Sequence, residues 1–320
     1  VKKVLGFNIS HNVSCAYFED NILKEYYEED RFNKIKNFMP PNPFYDGDYD
    51  YEILKKFKDV VFDCVTISSW DMGNILIEKP FVDNLLRQLK FKESKFYFKE
   101  HHLFHAVCGF YFSKFEEALA VTCDGGGERF PDEDSLYMDR NFQTMEAIFK
   151  INKKELKSLY KRSTNIRQYL FRDYDYRDYF YFLNGVEWTL TNRPIGGVKY
   201  LDYLYKAGFK KFEEGQLMGI AAYKDKNTNL DKDVLELAHK AQEETLQERI
   251  ELIEKAMTYS DCKNIILSGG YHLNCSNNFK LVKHFPKLNF FIDPIPYDGG
   301  TAVGAAFYYV QNYKKQVGSN

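Results

Sequence analysis

The strongest constraint on the fold of this chain is a pattern that occurs twice. Val4–Ser10 ("VLGFNIS") is a short apolar run, followed by two strand-like segments, "SCAYFED" and "NILKEYYEED". The Asp20–Asn21 pair between the latter two is hairpin turn chemistry. Further along, "ALAVTCDGGGE" (Ala118–Glu128) is followed by "DSLYMDRN" and "FQTMEAIF". Each set reads as strand, turn, strand, turn, strand, which is an internal duplication rather than a short-period solenoid. Between the copies, residues 50–60 and 80–90 read as amphipathic helices, and Val60–Trp70 reads as a buried strand. Val234–Met257 then holds a helical period. "NIILSGG" (Asn264–Gly270) is a strand entering a glycine turn, with a helix from about Ser276. "NFFIDP" is another strand, and "YDGGTAVGAAFYYV" opens a helix on a glycine turn. Strands alternating with helices, with glycine turns at the strand ends, predict an α/β chain whose ligand sites lie at the strands' carboxyl ends.

The 320 residues, 44% hydrophobic, are enough for a large core in one big domain or two lobes. A net charge of −2 excludes a chain that is basic overall, though not a local basic patch. The six cysteines are scattered with no C-x-x-C pair, as expected of a reduced cytoplasmic protein rather than a disulfide framework or thiolate zinc site. No charged-then-apolar leader opens the chain, and no apolar run approaches the ~18 residues of a membrane span. The wealth of Phe and Tyr beside Lys and Asn fits an AT-rich source, such as a virus or phage.

Four residues form a constellation. "KEHHLFHAVCGFYF" holds three of the seven histidines, and His101 and His105, four apart, project from one face of a helix. His102 faces elsewhere and reads as structural. Asp124 ends an apolar strand and is followed by Gly125, Gly126 and Gly127, which free main-chain N–H groups to approach an anion. Asp298 precedes Gly299 and Gly300 at a helix start, where the dipole favours anions. Each feature alone also reads as ordinary core or turn chemistry, as does the Gly269–Gly270 turn of "LSGGYHLN". Together, two imidazoles and two strand-end carboxylates suit a divalent transition metal with open positions. His11, in the polar turn of the first hairpin, occupies the place that Asp124 has in the second copy. It reads as a solvated turn residue or as an acid–base group.

These residues carry a family resemblance. "LGFNISHNVSCA", "EEDRFNKIKNFMP", "HHLFHAVCGF", "CDGGGE", "PIGGVKYLDYLYKAGFKKFEEGQLMGIAAYKD", "GGYHLNCSNN" and "DGGTAVGAA" follow one another from Leu5 to Ala306. In that order they resemble the motifs of the NodU/CmcH-type O-carbamoyltransferases, relatives of the tRNA threonylcarbamoyl-transfer enzyme. The resemblance implies a duplicated actin/sugar-kinase/Hsp70-like (ribonuclease H-like) fold, with lobes at 1–115 and 116–320. It implies a metal, iron (Fe²⁺) or another divalent ion, on His101, His105, Asp124 and Asp298. It also implies carbamoyl-adenylate, made from ATP and carbamoyl phosphate, lying along Gly125, Gly126, Gly127, Gly269, Gly270, Asn274, Gly299 and Gly300. His11 is then a candidate to activate the acceptor hydroxyl, and Lys36 to meet phosphate.

The chain departs from the family pattern at Asn12, where the family has aspartate, and at Gln216, where it has lysine. The family's second, YrdC-like domain has no counterpart in these residues, so the resemblance implies the transfer half alone, with the activating half on a partner chain or a continuation of the reading frame. A basic–aromatic insertion lies around 150–185. Within it, Lys150 to Arg177 holds nine Lys or Arg against three acids, interleaved with Tyr160, Tyr169, Phe171, Tyr174 and Tyr176. That pattern fits a solvated helix hairpin, or a surface that follows phosphates and stacks bases. The acceptor expected is therefore a sugar or natural-product hydroxyl, or a hydroxymethylated base or nucleotide. The rival readings are a kinase-like ATPase of the same superfamily and a non-catalytic nucleotide- or nucleic-acid-binding module.

Overall fold

A computed structural model describes residues 1–41, 48–69, 75–97, 99–130, 142–165 and 178–311. The first sheet is built from β1 (Lys3–Asn8), β2 (Ser14–Glu19), β3 (Ile22–Glu28), β4 (Val61–Ser68) and β5 (Lys90–Tyr97), in the order β3-β2-β1-β4-β5. The β1/β2 and β2/β3 pairs are antiparallel, and β1/β4 and β4/β5 are parallel. The second sheet contains β6 (Glu117–Cys123), β7 (Phe142–Asn152), β8 (Leu156–Asn165), β9 (Asp178–Leu183), β10 (Val186–Thr191), β11 (Asn264–Ser268) and β12 (Asn289–Ile292). Its order is β12-β11-β6-β7-β8-β10-β9. The run β8-β7-β6-β11-β12 repeats the first sheet strand for strand, with the same pattern of antiparallel and parallel pairs. The duplication is therefore a property of the topology, and β9 and β10 extend the second copy at its edge.

The structure corrects three readings. The second strand of the second copy is "FQTMEAIF" within β7, and "DSLYMDRN" lies outside the described residues. The third strand is β8, so Lys150–Asn165 is β-structure rather than a helix hairpin: its residues alternate across a ladder pairing Lys150 with Lys157 and Ile151 with Leu156. Residues 52–57 form a 3₁₀ helix, and the helix expected at 80–90 is Ile75–Leu86, ending before β5. Of the basic segment, Lys150 is paired with Glu117, Lys153 with Glu116, and Lys161 with Glu128, while Arg162 approaches Glu146 at 3.7 Å. Arg167, Tyr169, Phe171, Arg172, Tyr174, Tyr176 and Arg177 lie outside the described residues.

In chain order the helices are α1 (Asp30–Asn33), α2 (Ile75–Leu86), α3 (His101–Ser113), α4 (Gly196–Lys206), α5 (Glu214–Ala221), α6 (Lys232–Tyr259), α7 (Cys275–His284) and α8 (Gly300–Gln311). Two of them cross over. α3 follows the first sheet but packs on β6, β7 and β11 of the second, whereas α8 ends the second unit and packs on β1, β2 and β4 of the first. The pair also packs on itself, making a helical layer between the two sheets. The strand period explains this. Val4 of β1 and Ala118 and Ala120 of β6 face the helical layer, while Leu5, Phe7, Leu119 and Val121 face the outer layers.

Small residues let the layers meet at backbone distance. A Cβ on Gly6 would lie 2.0 Å from the Ala302 carbonyl oxygen, and one on Gly304 would lie 2.1 Å from that of Phe104. Gly6→Ala must therefore push α8 off β1, and overpacking of this kind costs about 1–3 kcal/mol. Urea unfolding should show the midpoint falling with an unchanged slope; an unchanged midpoint would show that strand and helix can part freely.

Candidate metal centre

The crossover sets two helix N-termini beside two strand ends, and that juxtaposition assembles the site. His101 and His105 are on the first turns of α3, Asp124 follows β6, and Asp298 precedes α8. All four are buried, and one donor atom from each lies within 4.8 Å of every other. His101 Nε2 stands 3.0 Å from Asp124 Oδ2, 3.6 Å from Asp298 Oδ1 and 3.2 Å from His105 Nε2. His105 Nε2 is 3.6 Å from Asp124 Oδ2 and 3.9 Å from Asp298 Oδ1. Donors about 2.1 Å from a shared ion stand about 4 Å apart or less, so this spread matches one coordination sphere. Asp298 Oδ1 is buried, has no hydrogen-bond partner and points into the cluster. The residues fit a divalent transition ion.

Electrostatics agrees. Burial acts to keep the His101 imidazole neutral, but the Asp298 charge and the hydrogen bond and charge of Asp124 outweigh it and push the pKa up to about 9. Burial likewise acts against the Asp124 charge, yet hydrogen bonds from His101 and His105 hold that carboxyl well below the usual range. The two buried carboxylates favour positive charge among the four side chains.

The two aspartates are held from behind, whereas His101 Nδ1 and His105 Nδ1 are buried without a hydrogen-bond partner among the described residues. The Gly270 N–H donates to Asp124 Oδ1 (3.0 Å), the Gly197 N–H to the Asp124 carbonyl (3.2 Å), and the Asp124 N–H to the Met145 carbonyl (2.9 Å). The Ser10 hydroxyl approaches Asp298 Oδ2 at 2.6 Å, and His11 Nε2 is 3.3 Å from the same oxygen. So one Asp298 oxygen faces the ligand cluster and the other faces the first lobe. His102 turns away, as its place on the helix requires. Its Nδ1 is 2.9 Å from Thr122 Oγ1 and its Nε2 2.9 Å from the Thr144 carbonyl, and burial pulls its pKa down to about 4.

Above the ligands opens a cleft of about 550 Å³ between the lobes. Asp124 and Asp298 form part of its lining, with His11, Lys36, Gly125, Gly270 and Asn274. The other expected glycines serve the packing around it. A Cβ on Gly127 would lie 2.4 Å from the His102 ring, one on Gly269 2.2 Å from the Cys123 carbonyl oxygen, and one on Gly300 2.1 Å from that of Ile295. Gly126 faces Gln143 and Gly299 faces Tyr26 and Tyr297. The sequence reading missed Ser10 and Gly197, although "FNISHN" and "PIGGVKY" put both inside quoted motifs. It also missed the apolar wall of Tyr200, Leu201, Met218 and Leu273, which spacing alone cannot gather from three separate elements.

Residues 197–307 match the family model described as the carbamoyltransferase N-terminus. The resemblance to the carbamoyltransferases is borne out. The nodulation protein NolNO of Sinorhizobium fredii (strain NBRC 101917 / NGR234) is 22% identical over 352 residues, covering 92% of this chain and 46% of its own. The chain thus spans less than half the length of that relative. Among solved structures, a ROK family protein from Streptococcus pneumoniae TIGR4 in complex with sucrose superposes with a TM-score of 0.55 at 10% identity, over 97% of this chain and 98% of its own. Full-length HypF in its phosphate- and nucleotide-bound form gives 0.53 at 11% identity, over 97% of this chain and 55% of its own. At such identities these likenesses establish the fold, the actin and sugar-kinase-like α/β architecture. The matched family span includes Asp298, whereas His101, His105 and Asp124 lie outside it and rest on geometry.

His105→Ala removes one donor and His101→Ala/His105→Ala removes both imidazoles. Elemental analysis of protein purified with Fe²⁺ or Zn²⁺ should show reduced metal in the first and essentially none in the second. Stoichiometric metal in the double variant would disprove the centre.

Proposed function

We propose that this chain carries out the transfer half of an O-carbamoylation, in which the carbamoyl group of carbamoyl-adenylate passes to an acceptor hydroxyl and AMP leaves. One observation supports it above the rest: the four-ligand cluster lies at the floor of the interlobe cleft, with His11 against the outer oxygen of Asp298, in a chain matching the carbamoyltransferase N-terminus model. The cleft offers an apolar wall of Tyr200, Leu201, Met218 and Leu273 for a base, and Lys36 and Lys211 at its lining for phosphate charge. A divalent ion on the four ligands would supply Lewis-acid stabilisation of the phosphate and the developing oxyanion.

The chain's own residues handle the proton. Asn12 Nδ2 donates to Asn37 Oδ1 (3.2 Å), which turns Asn12 Oδ1 toward His11 Nδ1 at 2.8 Å. The Nδ1–H then donates to that oxygen, leaving Nε2 as the basic nitrogen. The acceptor hydroxyl gives its proton to Nε2 as its oxygen bonds to the carbamoyl carbon. The bond from that carbon to the phosphate oxygen breaks, and AMP leaves with the electron pair. Asn12 thus fills the acceptor role of the family's aspartate, without its charge. A YrdC-like domain or partner chain would make the carbamoyl-adenylate from ATP and carbamoyl phosphate.

The test supplies the chain with a YrdC-like activating domain, ATP, labelled carbamoyl phosphate and two acceptors, an aminoglycoside and hydroxymethylcytosine DNA. Carbamoyl label on either acceptor is expected, and the one that gains mass identifies the acceptor class. Phosphate on the acceptor would establish the kinase-like reading instead, and no transfer of either group would leave a binding module. His11→Ala should keep its metal while turnover falls roughly 10²–10⁴-fold, the usual worth of a positioned acid–base group. Parent-level turnover at saturating acceptor would reduce His11 to a turn residue.

A further inference from the structure

The loop between α4 and α5 holds a residue in a conformation that its type disfavours. Phe212 has φ +73°, in the left-handed region that bulky side chains rarely occupy. Such a conformation persists only where the surroundings over-determine it, and here they do. Gly208, at φ +83°, ends α4, and the Phe209 N–H donates to the Leu204 carbonyl (3.1 Å). The Lys210 N–H donates to Glu213 Oε2 (2.7 Å), and the Phe212 N–H to Glu214 Oε1 (3.1 Å). Phe209 packs with the core behind α4, and Leu217 anchors α5 in the same cluster.

The strain does not serve burial, because Phe212 remains 38% exposed. Its ring instead reaches across the cleft and meets the His11 imidazole edge-on, with centroids 5.6 Å apart and planes at 67°. Lys211 Nζ lies 5.0 Å from the centre of the same ring, and both residues line the cleft. His11 thus has Asn12 at Nδ1, Asp298 Oδ2 3.3 Å from Nε2 and a second-lobe aromatic against its ring, and it lines the cleft.

We infer that Phe212 is a positioning residue for His11: held by the strained loop of the second lobe, its ring fixes the imidazole of the first lobe and shields it from bulk water. The role of His11 as the acceptor's proton partner rests on the function proposed above, whereas the shielding does not, so the test separates the two. Parent, Phe212→Ala, Phe212→Gly and Phe212→Tyr proteins are treated with diethylpyrocarbonate, and modification of His11 is followed by peptide mass spectrometry. Circular dichroism and metal content serve as folding controls.

Modification of His11 should be several-fold faster in Phe212→Ala and in Phe212→Gly, which removes the backbone strain together with the ring. It should return to the parent rate in Phe212→Tyr. Equal rates in all four proteins would overturn the inference, as would Phe212→Gly behaving as the parent. In the transfer assay, the alanine variant should lower kcat and raise the fraction of carbamoyl-adenylate lost to water, with the tyrosine variant restoring both. A parent that transfers nothing would defeat the proposed function while leaving the His11 reactivity result standing. Normal reactivity contrasts alongside an unchanged transfer-to-hydrolysis ratio would overturn the positioning role.

Discussion

The close approach of α3 and α8 is the contact on which the rest of this structure depends. Glycine at 304 lets one helix meet the other at the Phe104 carbonyl, and glycine at 6 lets α8 settle on β1 at the Ala302 carbonyl. Each helix belongs by sequence to one half of the duplication and by packing to the other. The exchange ties the two sheets through a shared helical layer and brings the N-terminus of the histidine helix alongside the turn that opens α8. Separating those backbones by an ångström would move His101 and His105 relative to Asp298. The histidine–aspartate cluster is thus a consequence of how closely two helices pack.

The surroundings of the centre are polar and buried, which is costly unless every group is partnered. Most are. His102 is bonded at both ring nitrogens, and Glu128 accepts the His102 N–H (3.2 Å) while pairing with Lys161. A second buried network, in which Asn274, Gln242, Asn277 and Tyr271 are linked at 2.8–3.0 Å, fixes the turn after β11. Among the described residues, the buried atoms left without a hydrogen-bond partner include Asp298 Oδ1, which faces the other donors, and the Nδ1 atoms of His101 and His105. Deeper still, Arg249 is buried against Glu146, within a charge cluster that Arg162 and Glu248 complete at 3.7 Å.

The repeat assigns different chemistry to equivalent places. The turn after β1 carries Ser10 and His11, and the turn after β6 carries Asp124, so equivalent turns contribute a hydroxyl and an imidazole in one copy and a carboxylate in the other. The helix after β5 opens on histidines, and the one after β12 opens on aspartate. A nearly symmetric scaffold therefore presents an asymmetric cleft, lined by polar and charged groups from the first lobe and by an apolar wall together with polar groups such as Lys211 and Asn274 from the second.

The sequence by itself determined a good deal of this. The duplicated hairpin, the histidine pair at helical spacing and the two aspartates at glycine turns were legible, because strand alternation and helix period are local properties of the chain. The four residues that the fold brings together were also named from those local patterns, and the order of the motifs carried the family resemblance. The third strand of the second copy was hidden, because Lys157, Lys161 and Arg162 break the apolar alternation of β8, and the partners of the last two, Glu128 and Glu146, are remote in sequence. Tertiary structure alone decided that Gly127 and Gly300 serve packing, that Asp298 divides its oxygens between the ligand cluster and His11, and that Phe212 reaches His11 across the cleft. Each of these depends on distances between elements remote in the chain, which are set by backbone packing and leave no period in the sequence.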